Sequence, residues 1–359
     1  MGGNAATFAY LQSRVAVRSQ MLLTTERANA LIDCAREDER AILTQAGLNA
    51  LSDEDADDPL RLEQVLVHTL VDDIQTLVHA VSATPRDLLI YWVRRFEVGN
   101  LKAIIRGKMT GETPDAIRRQ LVDIGLFATL PVEDLLRADD VAELLRHVEL
   151  TPYAEIARQA RRVYEEQQAL FSLDAAVDRR YFAGLSKRVK AVGEGGGEPL
   201  RAIIGALIDR LNLSWLLRYR FAYNLAPAEA YYLLIPAGFR LSSGELLSLA
   251  QLGSVAEVIE QVPGALGSVV AGCASVSAVD DALDAETWRM ARSTLHTAAF
   301  NLASAFAFLI LRERDLNHIA AILKGKRMHV SPALIRQATQ LPLTSEPGTS
   351  VGSALGAVA

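Results

Sequence analysis

The feature that most constrains this chain is a pattern that occurs three times, at intervals of about 110 residues. Its clearest part is a twelve-residue motif that begins with an acidic residue and ends with a basic one. The three copies of this motif are EVGNLKAIIRGK from Glu97, DRLNLSWLLRYR from Asp209 and DLNHIAAILKGK from Asp315. A repeat of this kind predicts three similar units along one chain.

Two further landmarks recur in the same order. A leucine followed by an acid opens a long helical stretch in each unit, at Leu62-Glu63, Leu173-Asp174 and Leu283-Asp284. A short helical segment also recurs, as VAELLRHV from Val141, VAEVIEQV from Val255 and a weaker copy around Ala41-Ile42-Leu43. Such units could stack as a solenoid. Their length exceeds the 20–50 residues typical of solenoid repeats, which favours three small domains around an axis.

The secondary structure is predicted to be helical throughout. Helix-forming residues dominate, and alternating runs of β-branched and aromatic residues are scarce. Apolar residues follow helical spacing from Val65 to Val78 and again from Leu88 to Phe96, where Thr84-Pro85 predicts a helix start. The stretch from Ser52 to Pro59 is predicted to be an acidic loop. The fold class is therefore all-α.

The repeats predict the domain organisation. We expect helical domains at residues 1–115, 116–225 and 226–340, arranged around a pseudo-threefold axis. Residues 341–359 are small and polar without periodicity, which predicts a disordered tail.

Composition excludes several classes of protein. The formal net charge of -6 argues against a sequence-independent nucleic-acid binder, which would be basic. Two cysteines cannot form a disulfide framework, and no signal peptide precedes the first helix, so we expect an intracellular chain. The longest apolar stretch, Leu302 to Leu311, is too short for a membrane span of roughly 20 residues.

The sequence contains no pattern typical of an enzyme. The glycine-rich stretch from Gly193 to Glu198 contains two acids and lacks the Lys-Ser/Thr of a phosphate-binding loop. None of the six histidines forms the i, i+4 pair of a helical zinc site, and glycine-flanked serines are absent. We therefore expect no catalytic residue, no metal, no cofactor and no directly bound nucleotide.

The motif residues remain the candidates for function. They are the first acid, the fourth residue and the tenth residue of each copy: Glu97, Asn100, Arg106, Asp209, Asn212, Arg218, Asp315, His318 and Lys324. One hypothesis places them along a central lumen or at the seams between repeats. In the alternative they are architectural: the acid pairs with a nearby arginine such as Arg94 or Arg95, and the asparagine satisfies a neighbouring helix end.

Three segments of this chain resemble the C subunit of the V/A-type rotary ATPases, the counterpart of the eukaryotic d subunit. FAYLQSRVAVRSQMLL (Phe8 to Leu23) is similar to the opening of that family, EVGNLKAIIRGKMTGETP to its first repeat closure, and LRERDLNHIAAILKGKRMHVSP to its carboxy-terminal signature. The likeness covers residues 8–335. In two places this chain departs from the family pattern: His318 replaces a common Asn, and Arg218-Tyr219-Arg220 replaces basic-Gly-basic.

The resemblance implies a funnel-shaped, non-catalytic subunit of the central stalk. Its partners would be the rotor-shaft subunits and the proteolipid ring of the membrane sector, and it would lie at the cytoplasmic face of the membrane. There it would couple the ATP-handling head to ion transport. The alternative is a free-standing helical scaffold or adaptor that shares the repeat without the rotary context.

Overall fold

The computed structural model describes residues 2–167, 170–193, 196–236 and 238–340. Within these ranges every regular element is helical and there is no strand, which confirms the all-α prediction. The α-helices are α1 (Gly2–Ser19), α2 (Thr25–Asp33), α3 (Arg36–Gln45), α4 (Asp53–Asp57), α5 (Pro59–Val78), α6 (Ala83–Val93), α7 (Arg95–Thr110), α8 (Pro114–Gln120), α9 (Val132–Arg137), α10 (Val141–Val148), α11 (Ala154–Gln167), α12 (Leu170–Val192), α13 (Gly197–Leu217), α14 (Pro227–Leu233), α15 (Ser243–Ala250), α16 (Val255–Gln261), α17 (Gly264–Val270), α18 (Val276–Thr297), α19 (Leu302–Arg327) and α20 (Pro332–Ala338).

Three short helices of this set begin with a proline, and we call them the proline helices. They are α8, α14 and α20, which follow the three copies of the twelve-residue motif in the chain. Proline suits the first helical position because its φ is already helical and its missing N–H would have no partner there. Thr113 and Ser331 cap α8 and α20 with their side-chain oxygens.

Sequence reasoning located several helix ends correctly. Pro85 lies in the first turn of α6, as predicted. The acidic stretch from Ser52 is different: it contains the short helix α4, so the prediction of a loop there was wrong. The Ser52 side chain accepts a hydrogen bond from the Asp55 N–H, and the Asp55 carboxylate accepts one from the Ser52 N–H. This capping box places acids in the first turn, where the helix dipole favours them.

The chain forms two compact units. The first comprises the chain up to Gln20 together with Val67–Leu311. In it α12 packs against α6, α7, α11 and α13, and α13 packs against α18. The end of α13 shares a buried apolar cluster with α14, α15, α16 and α18.

The second compact unit comprises Met21–Leu66 together with the chain from Arg312 onward. The last part of α19 contacts α3 through a buried carboxylate: Glu39 pairs with Lys326 at 2.9 Å and with Arg327 at 2.7 Å. Segments from the two halves of the sequence therefore fold together. The finer boundaries at residues 115, 225 and 340 stay a prediction, and the tail predicted at 341–359 lies outside the described residues.

The apolar stretch Leu302–Leu311 is the buried beginning of α19, where Phe306 and Phe308 are fully buried. Among the helices of the described ranges, none has both the length and the apolar character that crossing a membrane requires.

Candidate functional site

The first acid of the twelve-residue motif is almost completely buried in all three copies. The copies lie on α7, on α13 with its continuation, and on α19. Glu97 is 2% exposed, Asp209 0% and Asp315 1%. A buried carboxylate is costly unless hydrogen bonds replace the water it has lost.

In each copy these hydrogen bonds come from backbone N–H groups that lie just before a short helix. The donors are Thr129 (2.5 Å) and Leu130 (2.7 Å) to Glu97, Phe239 (2.9 Å) and Arg240 (2.6 Å) to Asp209, and Leu23 (2.8 Å) to Asp315. The helices that follow these donors are α9, α15 and α2. The acid therefore anchors the entrance of a short helix to the long helix that carries the motif.

Side chains complete the environment of two of these acids. The hydroxyl groups of Thr129 and Tyr153 donate to Glu97, and burial together with that carboxylate raises the pKa of the Tyr153 phenol. Arg314 donates to Asp315 at 3.0 Å. Burial raises the pKa of the Asp315 carboxyl against the opposing effect of Arg314 and the backbone N–H.

The fourth residue of the motif holds the end of a proline helix. Asn100 donates to the carbonyl of Val122 at 2.7 Å and accepts from the Val122 N–H at 2.8 Å. Asn212 forms the same two bonds with Ile235, at 3.1 and 2.8 Å. Val122 and Ile235 follow the last residues of α8 and α14. This geometry favours the alternative in which the asparagines satisfy neighbouring helix ends.

His318 stands at the fourth position of the third copy. Its imidazole is largely buried, and this burial together with the nearby Arg314 lowers the pKa of His318 to about 4. The ring is therefore neutral at physiological pH, as the asparagine amides of the other copies are.

The tenth residue pairs with an acid on a long helix in every copy. The pairs are Arg106 with Asp174 (3.0 Å), Arg218 with Asp280 (2.5 Å) and Lys324 with Glu63 (3.9 Å). Their acids lie on α12, α18 and α5. In the first two copies this is the long helix that follows the motif in the chain. In the third copy it is α5, the first long helix of the three.

These pairs connect the motif to the Leu-acid landmark. Glu63 and Asp174 are landmark acids themselves, whereas the third one, Asp284, pairs with Arg210 of the motif. The leucines that precede them, Leu62, Leu173 and Leu283, are buried. Two patterns that are separate in the sequence are thus in contact in the structure.

The eleventh residue explains why two copies contain glycine. A Cβ on Gly107 would lie 2.4 Å from Ile117 of α8, and one on Gly325 would lie 2.8 Å from Ile335 of α20. Both distances are far shorter than van der Waals contact. The proline helices α8 and α20 therefore pack directly against the motif backbone.

The second copy solves the same packing problem differently. Tyr219 replaces the glycine, and α14 carries the small Ala230, buried in the same cluster as Tyr219. The helix continues here as a π-helix, Arg218–Ala222, in which the Tyr223 N–H donates to the Arg218 carbonyl at 2.9 Å. This bond spans five residues, so the π-helix accommodates one extra residue. The departure from basic-Gly-basic is thus matched by changes around it.

Sequence reasoning missed the twelfth residue of the motif. This base donates to carbonyls at the end of the short helix whose entrance the first acid holds. The bonds are Lys108 to Leu136 (2.8 Å) and Ala138 (2.5 Å), Arg220 to Ala250 (2.7 Å), and Lys326 to Leu31 (2.7 Å) and Cys34 (2.9 Å). A cation at a helix C-terminus satisfies carbonyls without partners and favours the dipole. The second base of basic-Gly-basic was the available signal.

The motif is a device for holding helices together. It holds both ends of one short helix, the end of a proline helix in two copies, and an acid of a long helix. In the part of the chain that the structure describes, no group of three His, Cys, Asp or Glu side chains could hold a metal ion. The nine candidate residues are thus brought into structural contacts rather than into one chemical centre.

Comparison with protein families gives one match over almost the whole chain. Residues 11–338 match the family model described as ATP synthase (C/AC39) subunit. This match confirms the resemblance that the repeated motifs indicated.

Similar proteins include C subunits of archaeal A-type ATP synthases. The one from Methanocaldococcus jannaschii is 23% identical over 344 residues, which cover 92% of this chain and 86% of that protein. Its namesake from Methanothermobacter thermautotrophicus is 25% identical over 329 residues, covering 89% and 84%. That from Haloferax volcanii is 25% identical over 340 residues, covering 91% and 95%. With its family match spanning all three copies of the motif, the chain belongs to the ATP synthase (C/AC39) subunit family.

Proposed function

We propose that this chain is the non-catalytic central-stalk subunit of a V/A-type rotary ATPase. It would form a rigid socket that couples the rotor shaft of the ATP-handling head to the membrane proteolipid ring. Its partners would be the shaft subunits and that ring, at the cytoplasmic face of the membrane. Family membership and similarity to the C subunits of A-type ATP synthases along most of their length support this assignment.

The observation on which the proposal depends most is the pair formed by Lys324 and Glu63. In the first two copies the tenth residue binds the next long helix. A linear stack would leave the last copy without a following long helix. The pairing of Lys324 with α5 instead supports a closed, pseudo-threefold arrangement of three helical bundles, which is the form a funnel-shaped socket requires.

The contacts of the motif also suit transmission of torque. A coupling protein must resist deformation, and densely packed helices transmit strain because their interiors have few voids. The buried acids and the helix-capping bases fix the short helices at both ends. We place the nine motif residues at the seams between helices, because the first acids and the asparagines are buried among protein groups rather than open to a cavity.

The proposal is tested by purification from membranes. A tagged copy of the chain, extracted in mild detergent, should bring down proteolipid and shaft subunits together with the head. The control is the same purification through a tag on a head subunit. If that control yields an assembly of head and ring without this chain, while the tagged chain purifies alone, the assignment is wrong and the free-standing adaptor is favoured.

A further inference from the structure

A cavity of about 250 Å³ lies between the end of α5, one face of α6 and the loop that precedes α9. His79 contributes from α5 and Arg86 and Arg94 from α6, while Leu126 and Phe127 contribute from the loop. All of these residues belong to the first compact unit. We call this cavity the arginine pocket.

The charge of the pocket is one-sided. Arg86 and Arg94 are eight residues apart, with Ile90 between them, so the three lie on one side of α6. No carboxylate lines the pocket, and neither arginine forms an ion pair with a described residue. The Nε of Arg94 is buried without a hydrogen-bond partner among the described residues. Guanidinium groups that lack an internal acid are available for an anion from another molecule.

The apolar side of the pocket is exposed and firmly held. Leu126 is 85% exposed, in the short 3-10 helix Gly125–Phe127. The backbone on one side of this helix is bound by Asn100 at Val122, and on the other side by Glu97 at Thr129. An exposed leucine on a fixed loop loses little conformational freedom when a partner covers it, because the loop is already ordered.

We propose that the arginine pocket is a docking site for a carboxylate side chain of a partner polypeptide that carries an apolar side chain beside that acid. The carboxylate complements Arg86 and Arg94, and the apolar side chain covers Leu126. A free inorganic anion would satisfy the arginines and leave Leu126 exposed. The inference holds whether or not the rotary assignment is correct, because it depends only on this pocket.

The test uses the full-length chain and two capped peptides, acetyl-Gly-Leu-Glu-Leu-Gly-amide and its Gln counterpart, titrated by NMR or calorimetry. We expect saturable binding of the Glu peptide and at least tenfold weaker binding of the Gln peptide. The double variant R86Q/R94Q should weaken binding of the Glu peptide by about tenfold or more. The variant Leu126→Ser should weaken it as well, without any change of charge. The matched control R158Q/R292Q removes two exposed arginines elsewhere and should bind as the parent chain does.

Three results would overturn the proposal. The first is equal binding of the two peptides, or equal binding by R86Q/R94Q and the parent chain. The second is no saturable binding of the Glu peptide up to about 10 mM, beyond the range of a specific contact. The third is tighter binding of sodium phosphate than of the Glu peptide, with no effect of Leu126→Ser, which would identify a site for free anions.

Discussion

The N–H of Leu23 donates a hydrogen bond of 2.8 Å to the Oδ2 of Asp315, across 292 residues of sequence. In the first copy the corresponding donors, Thr129 and Leu130, lie 32 and 33 residues after Glu97. In the second copy Phe239 and Arg240 lie 30 and 31 residues after Asp209. The third copy is therefore completed by the amino-terminal segment, which supplies the parts that would otherwise follow the motif.

Replacement of Asp315 should destabilise the fold. Asp315→Ala leaves the buried N–H of Leu23 without its acceptor and removes the partner of Arg314. We expect the free energy of unfolding to fall by about 2–3 kcal/mol, the usual cost of leaving buried polar groups unpaired. Urea denaturation followed by circular dichroism measures the change.

The control for that variant is Asp281→Ala, which removes the same charge from an exposed position. It should change the free energy of unfolding by no more than about 0.5 kcal/mol. Equal losses for the two variants would mean that Asp315 does not hold the amino-terminal segment.

The glycine of basic-Gly-basic should not tolerate alanine. Alanine normally stabilises a helix interior by about 1 kcal/mol relative to glycine. At Gly107, however, the new Cβ would overlap Ile117, so we expect a net loss of about 1–2 kcal/mol. Gly99→Ala, on the same helix α7 with no atom near its Cβ, should instead be neutral or stabilising.

A double-mutant cycle separates packing from other causes. Gly107→Ala combined with Ile117→Ala should cost less than the sum of the two single changes, because the smaller side chain makes room for the new methyl group. Additive losses would contradict the packing explanation. Tyr219 with Ala230 in the second copy is a natural precedent for this exchange of sizes.

The twelfth residue should contribute as much as the first. Lys326→Met removes hydrogen bonds to the carbonyls of Leu31 and Cys34 and one of the two ion pairs of Glu39. We expect unfolding to become easier by about 2–3 kcal/mol. Lys187→Met, at an exposed position of α12, is the matched control and should be almost neutral. If thermal unfolding midpoints of the two variants coincide, the capping role is wrong.

His318 should make the chain sensitive to acid. Its pKa is about 4 in the folded chain, well below the ordinary histidine value of 6.5 that applies when the chain is unfolded. The unfolded state therefore binds a proton first, and the contribution of this group is complete above pH 6.5 and lost as the pH falls through 4. The loss attributable to this group approaches about 3 kcal/mol at its limit.

The variant His318→Asn restores the residue of the other two copies and isolates this effect. Between pH 6.5 and 4 its free energy of unfolding should fall less steeply than that of the parent chain. Parallel pH profiles for the two proteins would exclude His318 as the source of acid sensitivity.

The repeat and the fold class can be predicted from the sequence because both depend on local patterns. Helical spacing indicates the helices, and the order of the motifs indicates the family. The positions of Glu97, Asn100 and Arg106 within a twelve-residue motif likewise needed only the sequence. Their partners did not follow from it, because backbone groups such as those of Val122 have no side-chain signature.

Other features were missed because they depend on tertiary contacts. Nothing in the sequence near Asp315 indicates that Leu23 is its partner, and the role of Lys108 depends on where α9 ends. The π-helix follows from the bulk of Tyr219, which is visible only once the position of α14 is known. Ser52, in contrast, begins a Ser-x-x-Asp cap that the sequence does show, but its acids were interpreted as a loop.

Electron cryomicroscopy of the membrane complex purified through this chain would decide whether it is a socket. We predict one copy between the proteolipid ring and the rotor shaft, with three helical bundles closed around an axis and the end of the shaft inside. Lys324 should lie next to Glu63 at the closing seam. A linear stack of the bundles, a centre filled by the chain's own side chains, or a ring and shaft joined without this chain would be incompatible with a socket.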